Sequence, residues 1–303
     1  MIIIQVAGGL GNQMQQYALY RKFVKLGKEA RLDISWFTQS ARQEKVYAKR
    51  ELELDYFPGI SYQACTMGEK EALLGDGSLV SRLSRKIGGK LFPASRKVFQ
   101  ETQMYHPGLF ECEDKYLCGY FACEKYYADI LGELREQFCF PVSGNPENAR
   151  LAQRMRAEES VSVHVRRGDY LDPENARLFG NICTERYYEG AVGEMKRIYP
   201  QAHFYLFSDD AAYVKERFRG EEYTVVDINQ GKDSFYDIWL MSNCRHNICA
   251  NSTFSFWGAR LNGNREKVMV RPWIHKNTQK FDSGQMHGLW EGWVLMDNGG
   301  NVV

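Results

Sequence analysis

From Val161 onward the chain repeats one pattern: a short apolar run, a turn, then a stretch with helical spacing. Val161 to Val165, His203 to Phe207, Tyr223 to Ile228, Asn247 to Ala250 and Lys267 to Val270 read as strands. Glu185 to Tyr199, Asp210 to Arg219, Ser234 to Cys244 and Phe254 to Asn262 read as the helices between them. A helix returns the chain to the sheet edge it left, so the strands pair in parallel and both faces of the sheet are covered. The fold class is therefore α/β. Such sheets bind ligands beyond the carboxyl ends of their strands, so the residues just after each strand are where chemistry is expected.

The first half opens in the same way, with a strand from Ile2 to Val6, a glycine turn, an amphipathic helix from about Asn12 to Leu26 and a strand from Ala30 to Ile34. Residues Gln39 to Gln100 then mix basic, Gly and Ser positions and predict only short helices and loops. Helix returns at Lys125 to Phe138, and Phe140-Pro-Val-Ser-Gly-Asn-Pro breaks it. Two domains are predicted, residues 1–142 and 143–303, with the tail from about residue 276 expected to pack back on the first.

Charge and cysteine usage exclude several classes. A formal charge of +1 over 303 residues gives no broad basic surface for nucleic acid, so any anion site is local. No apolar run approaches the roughly 20 residues that span a bilayer, and Met1-Ile-Ile-Ile-Gln is too short for a signal-peptide core. The eight cysteines form no CxxC pair and no zinc spacing. They read as reduced, buried thiols of a cytoplasmic protein.

Four post-strand segments carry candidate chemistry. Gly8-Gly9-Leu10-Gly11-Asn12-Gln13 joins a strand to a helix, where glycines admit a ligand and helix-start N–H groups attract anions. Asp33 stands where a dinucleotide fold keeps its ribose-binding acid, but Met14 replaces the third glycine of GxGxxG. A plain tight turn is the alternative. His164-Val165-Arg166-Arg167-Gly168-Asp169 follows a strand with two guanidinium groups, and Arg166 reads as a diphosphate clamp because its planar fork bonds two oxygens at once. The alternative there is an Arg166–Asp169 pair that only closes the turn. Ser208, Asp209 and Asp210 either cap the next helix or offer metal-binding carboxylates, although without DxD spacing. Asn251, Ser252, Thr253 and Ser255 are small residues able both to cap a helix and to leave backbone donors for phosphate. Asp237 opens a core-facing helix and is either a solvated helix-start acid or an acceptor for the N1–H and N2–H₂ of guanine. The aromatic pair Trp290 and Trp293, and the basic stretch Ser81 to Lys90, read as packing and as solvated surface.

Assembled in order, GGLGNQMQQYA from Gly8, LDISWF from Leu32, GYFACEKYY from Gly119, HVRRGDY from His164, FSDD from Phe207 and NSTFSFWGA from Asn251 resemble glycosyltransferase family 11. The likeness is to its short bacterial α-1,2-fucosyltransferases. Gln15, Phe256 and Arg260 depart from residues common there. The resemblance implies a GT-B fold, two Rossmann-like domains facing a cleft, the first mainly for acceptor and the second for donor. It implies inverting transfer of L-fucose from GDP-fucose to the 2-hydroxyl of a galactose in a glycan, with no metal and no cofactor. His164 would lie beside guanine, Arg166 would hold the β-phosphate, Asp237 would read guanine and Ser255 would bond phosphate. Gly9, Gly11 and Asn12 would approach from the other domain, with Ser208, Asp209, Asn251, Ser252 and Thr253 on the donor side. A lipid-linked acceptor would bring the protein to a membrane surface. Asp169 is the first candidate for a general base, and Asp33, Glu101 and His106 are the others. Two other readings remain at this point: a GDP-sugar binder without turnover and an NAD oxidoreductase.

Overall fold

The computed structural model describes residues 1–38, 50–75, 97–102 and 104–303. The basic stretch Ser81 to Lys90 and most of Gln39 to Gln100 lie outside the described residues. The chain forms two compact units, Met1–Cys139 and Phe140–Val303.

In the first unit four parallel strands, β1 (Ile2–Gln5), β2 (Ala30–Asp33), β3 (Val98–Gln100) and β4 (Lys115–Cys118), run in the order β2-β1-β4-β3. Helix Leu10–Lys25 follows β1 directly, and its Met14, Tyr17, Ala18 and Phe23 are wholly buried. The continuous helix expected over Lys125 to Phe138 is not formed. Tyr127 leaves the helical region at φ −147°, giving two 3₁₀ turns before helix Leu131–Gln137. Tertiary anchoring explains the break, because the Tyr126 hydroxyl donates to the Met104 carbonyl at 3.0 Å and accepts from the His106 N–H at 3.1 Å.

The second unit holds six parallel strands: β5 (Ser160–Val165), β6 (His203–Ser208), β7 (Tyr223–Val226), β8 (His246–Ile248), β9 (Met269–Pro272) and β10 (Val294–Met296). Their order β10-β9-β8-β5-β6-β7 is the 3-2-1-4-5-6 order of dinucleotide-binding folds, read from the other edge. Every residue of β5 is buried, because the central strand is covered on both faces. On one face Val161, Val163, Ile248 and Val270 pack against Tyr187, Ala191 and Met195 of helix Glu185–Ile198. Both units are thus Rossmann-like, as the GT-B expectation requires. Within the tail, β10 joins the second unit's sheet, pairing with β9 from Val294↔Val270 to Met296↔Pro272. Three residues followed by a turn gave no periodicity from which to predict that strand.

Candidate active site

The order of the second sheet reverses between β5 and β8, and the crevice at such a reversal is where α/β sheets bind ligands. The chain leaving β5 crosses this point. The His164 ring lies 5.7 Å from Phe254, the second residue of helix Thr253–Leu261 after β8. The Tyr170 hydroxyl donates to the Asn251 carbonyl at 3.0 Å, tying the two post-strand segments together. His164 is 5% exposed, and its Nδ1 has no hydrogen-bond partner. Burial, with Arg166 nearby, lowers its pKa to about 3, so the ring is neutral.

Arg166 is held from two sides. Its Nη2 donates to Asp169, and its Nη1 lies 2.7 Å from Asp209 Oδ2. Burial opposes the charge, but Asp209 and Asp169 outweigh it and keep the guanidinium pKa above its ordinary value. The other Asp209 oxygen accepts the Arg167 N–H at 2.9 Å. Asp209 comes so close that a Cβ on Gly168 would stand 2.4 Å from its Oδ2, which is why glycine occupies that position. Arg167 bonds Asp210 at 3.0 Å and covers the Tyr213 ring at 3.7 Å. Asp210 also caps helix Ala211–Arg217, accepting from the Tyr213 N–H at 3.0 Å. That N–H and Arg167 hold its carboxyl below the usual range.

Of the two alternatives read in the sequence, the structure forms the Arg166–Asp169 pair and adds Asp209 on the other nitrogen. Five charged side chains form the β5–β6 edge, two arginines against three aspartates, so each carboxylate fixes a guanidinium or a helix start. Ser208 contributes its Oγ as acceptor for the Asp210 N–H at 3.0 Å.

On the β8 side two of the four small residues, Asn251 and Ser255, are buried with internal partners. Asn251 is 2% exposed, and its amide donates to the carbonyls of Phe179 and His275. Ser255 is 1% exposed, with its Oγ donating to the Ser252 carbonyl at 3.1 Å. Ser252 is the N-cap of helix Thr253–Leu261 and makes no side-chain cap bond. What this edge offers an anion is the backbone of the first helical turn, whose N–H groups lack intrahelical acceptors.

Asp237 sits in the first turn of helix Tyr236–Asn243 and accepts from Asn229 Nδ2 at 2.8 Å. Burial raises its pKa to about 7 against the opposing Asn229 bond, with Asp227 adding to the rise. Its helix packs closely on helix Thr253–Leu261, because Gly258 has no Cβ to meet Met241, which would otherwise stand 2.7 Å away.

In the first unit Gly9 is the N-cap of helix Leu10–Lys25, while Gly11 and Asn12 lie in its first turn. Gly8 has φ +86°, and a Cβ there would lie 2.7 Å from Asn12 Nδ2. The sequence reading passed over the two glutamines that build this turn. Gln13 donates to the carbonyls of Gly8 (3.0 Å) and Glu51 (2.9 Å) and accepts the Glu53 N–H at 2.8 Å. Gln16 accepts the Ala7 N–H at 3.0 Å and donates to the Gly119 carbonyl at 2.8 Å. Arg50 was also missed; its guanidinium carbon is 3.7 Å from a Cβ placed on Gly9.

Of the base candidates, Asp33 is 2% exposed and engaged with Lys70 at 2.6 Å, with Tyr116 and with the Ser35 N–H. Burial works against its charge, but those bonds hold its pKa below the ordinary value. Glu101 accepts the Tyr120 N–H at 2.8 Å, and His106 Nε2 is 2.8 Å from Thr102 Oγ1.

The model of Glycosyl transferase family 11 matches residues 102–295. This chain belongs to that family. It is a glycosyltransferase, and hydride chemistry is set aside. Across 90% of its length it is 29% identical to an alpha-1,2-colitosyltransferase of Escherichia coli, covering 91% of that protein. It is 28% identical to the O-antigen biosynthesis glycosyltransferase WbnK of Escherichia coli, over 90% of this chain and 95% of that one. Bos taurus galactoside alpha-(1,2)-fucosyltransferase 2 is 27% identical over 48% of this chain and 45% of its own. The family match contains the whole Arg166–Asp209 edge and Asp237, while the Gly8 turn precedes it. No helix among the described residues is long and apolar enough to cross a membrane.

Proposed function

We propose that this family 11 member transfers L-fucose from GDP-β-L-fucose, with inversion and without a metal, to the 2-hydroxyl of a terminal galactose in a glycan. The observation that carries this reading is Arg166, held charged by two aspartates just after β5, the strand that borders the sheet's reversal point. Leaving-group stabilisation is the main demand of inverting transfer, and a fixed guanidinium with helix-start N–H groups supplies it.

In this reading the β-phosphate takes the place of the Asp169 carboxylate on the Arg166 fork, while Asp209 continues to aim the guanidinium. Asp169, released from that pair, is the proton acceptor for the attacking hydroxyl. His164 and Asp237 receive the guanine. Asp237 accepts from the base N1–H and N2–H₂, which favours its ionised form. Gly9, Gly11 and Asn12 form the second anion-accepting turn, and Arg50 adds a positive charge there. A cytoplasmic location belongs to the same proposal, supported by eight cysteines with no disulfide-framework or zinc spacing.

The colitosyl relative supports a second reading for the sugar alone. Colitose is fucose without its 3-hydroxyl, and the diphosphate and guanine contacts do not distinguish the two. Incubating the purified protein with GDP-fucose and a panel of β-galactosides, with linkage analysis of products, tests the proposal. The expected product is an α-1,2-fucoside. Absence of both transfer and donor hydrolysis from a folded protein that binds GDP would overturn it, and transfer only from a colitosyl donor would move it to the second reading.

A further inference from the structure

We infer that the second unit contains a buried binding site for a small monovalent anion of the halide class, built by Arg271 and Trp293. Arg271 lies on β9 with no exposed surface. Its faces are covered by rings, with the guanidinium carbon 3.6 Å from the Trp290 centroid and 4.6 Å from that of Phe256. Its Nε donates to the Pro272 carbonyl at 3.0 Å, but Nη1 and Nη2 have no hydrogen-bond partner. A second buried arginine, Arg260, faces the same Trp290 ring at 5.1 Å and adds positive charge.

Two further buried polar atoms without partners belong to this cluster: Trp293 Nε1 and His275 Nδ1. Both rings are 5.8 Å from the Phe256 centroid, the same ring that Arg271 covers. Guanidinium and indole are donors only. Burying such groups unmatched is unfavourable, and more so when they are charged. A water could satisfy the donors, but of the side-chain atoms left without partners in this cluster only His275 Nδ1 could accept from its hydrogens. A monatomic anion needs no acceptor, neutralises the guanidinium and exchanges its hydration for the Arg271 and Trp293 N–H groups. The neutral His275 ring, its pKa lowered to about 3 by burial and by Arg271, supplies a further N–H in its Nδ1 tautomer. This inference is independent of the donor and acceptor assigned above.

The test compares thermal unfolding after exhaustive dialysis into gluconate with unfolding in chloride or bromide at equal ionic strength. The halides should raise the midpoint saturably by about 2–4 °C. Arg271→Met should abolish that rise, and Trp293→Phe, which keeps the ring packing, should shift its half-saturation to severalfold higher halide. If Arg271→Met does not fold, Trp293→Phe carries the comparison. A crystal grown in bromide should show an anomalous peak between the Arg271 fork and Trp293 Nε1. Equal midpoints in gluconate and halide together with water or nothing at that position would overturn the site, as would a halide response unchanged in both variants.

Discussion

The two post-strand turns of this enzyme are built from opposite materials. After β5 the backbone is shaped by charge: Asp209 fixes the Arg166 side chain and the Arg167 N–H, and Asp210 fixes Arg167 and a helix start. After β1 it is shaped by neutral amides, with Gln13 and Gln16 together making five bonds to main-chain groups. A charged frame presents a charge to a ligand and is sensitive to each member. An amide frame presents only backbone, so its side chains act through stability. The first should fail in turnover, the second in folding.

The largest expected effect sharpens that contrast. Arg166→Ala should lower kcat by roughly 10²–10³-fold, with less change in donor KM, because the lost donor acts on charge that develops in the transition state. Arg166→Lys should recover only part, since an ammonium cannot serve Asp209 and phosphate with a planar fork. Steady-state kinetics with melting curves check this, and near-normal turnover of a folded Arg166→Ala protein would remove the clamp.

The glycines of the two turns give a matched pair. Gly168→Ala puts a methyl where Asp209 sits, so it should cut kcat by up to about 10²-fold through misplacement of Arg166. Gly8→Ala must hold φ +86° and press on Asn12, so it should cost about 1–3 kcal/mol of stability. If Gly168→Ala lowers the melting temperature while kcat of the folded protein is unchanged, the charged turn is only structural. Gln13→Leu strands a main-chain N–H and two carbonyls and should likewise cost about 1–3 kcal/mol, read by denaturant titration. A loss of kcat without loss of stability would contradict the assignment of the amide frame.

Asp237 supplies a smaller, pH-dependent test. Its folded pKa of about 7 lies above the ordinary carboxyl value, so the folded state keeps a proton that the unfolded chain has released. Its contribution to stability is therefore full below about pH 4 and declines as pH rises toward 7. Asp237→Asn should flatten this decline and raise the melting temperature at pH 8. Donor KM should fall in the wild type between pH 6 and 8 as the carboxylate ionises. The Asn variant should show a flat profile and, at pH 8, a KM about tenfold higher. A wild-type donor KM independent of pH would separate Asp237 from guanine. The smallest expected effect is none: EDTA should leave transfer unchanged, and a loss restored by manganese would return Asp209 and Asp210 to the role of metal ligands.

Much of the second unit was legible because a parallel sheet announces itself locally. Ser160–Val165 alternates valine with polar residues and His203–Ser208 is largely apolar, both long enough to read, and each is followed by a charged residue, Arg166 or Asp209. Arg166 and Asp237 could therefore be named as candidates from sequence. The first unit was less legible because its strands Val98–Gln100 and Lys115–Cys118 are short and follow a mixed stretch without period. Its glutamines carry no sequence signal of the carbonyls they meet.

By itself the sequence determined the α/β class, the alternation of strands and helices in the second unit, and which post-strand segments carry charge. These follow from periodicity and residue type, which act over a few neighbours. Only the tertiary structure decided strand order, and with it the reversal between β5 and β8 that puts His164 beside Phe254. It alone brought Asp209 to Arg166 across 43 positions, turned Ser255 inward and buried Arg271 between two rings. Each of those outcomes depends on which distant groups share a low-dielectric space, and no local pattern in the chain encodes that.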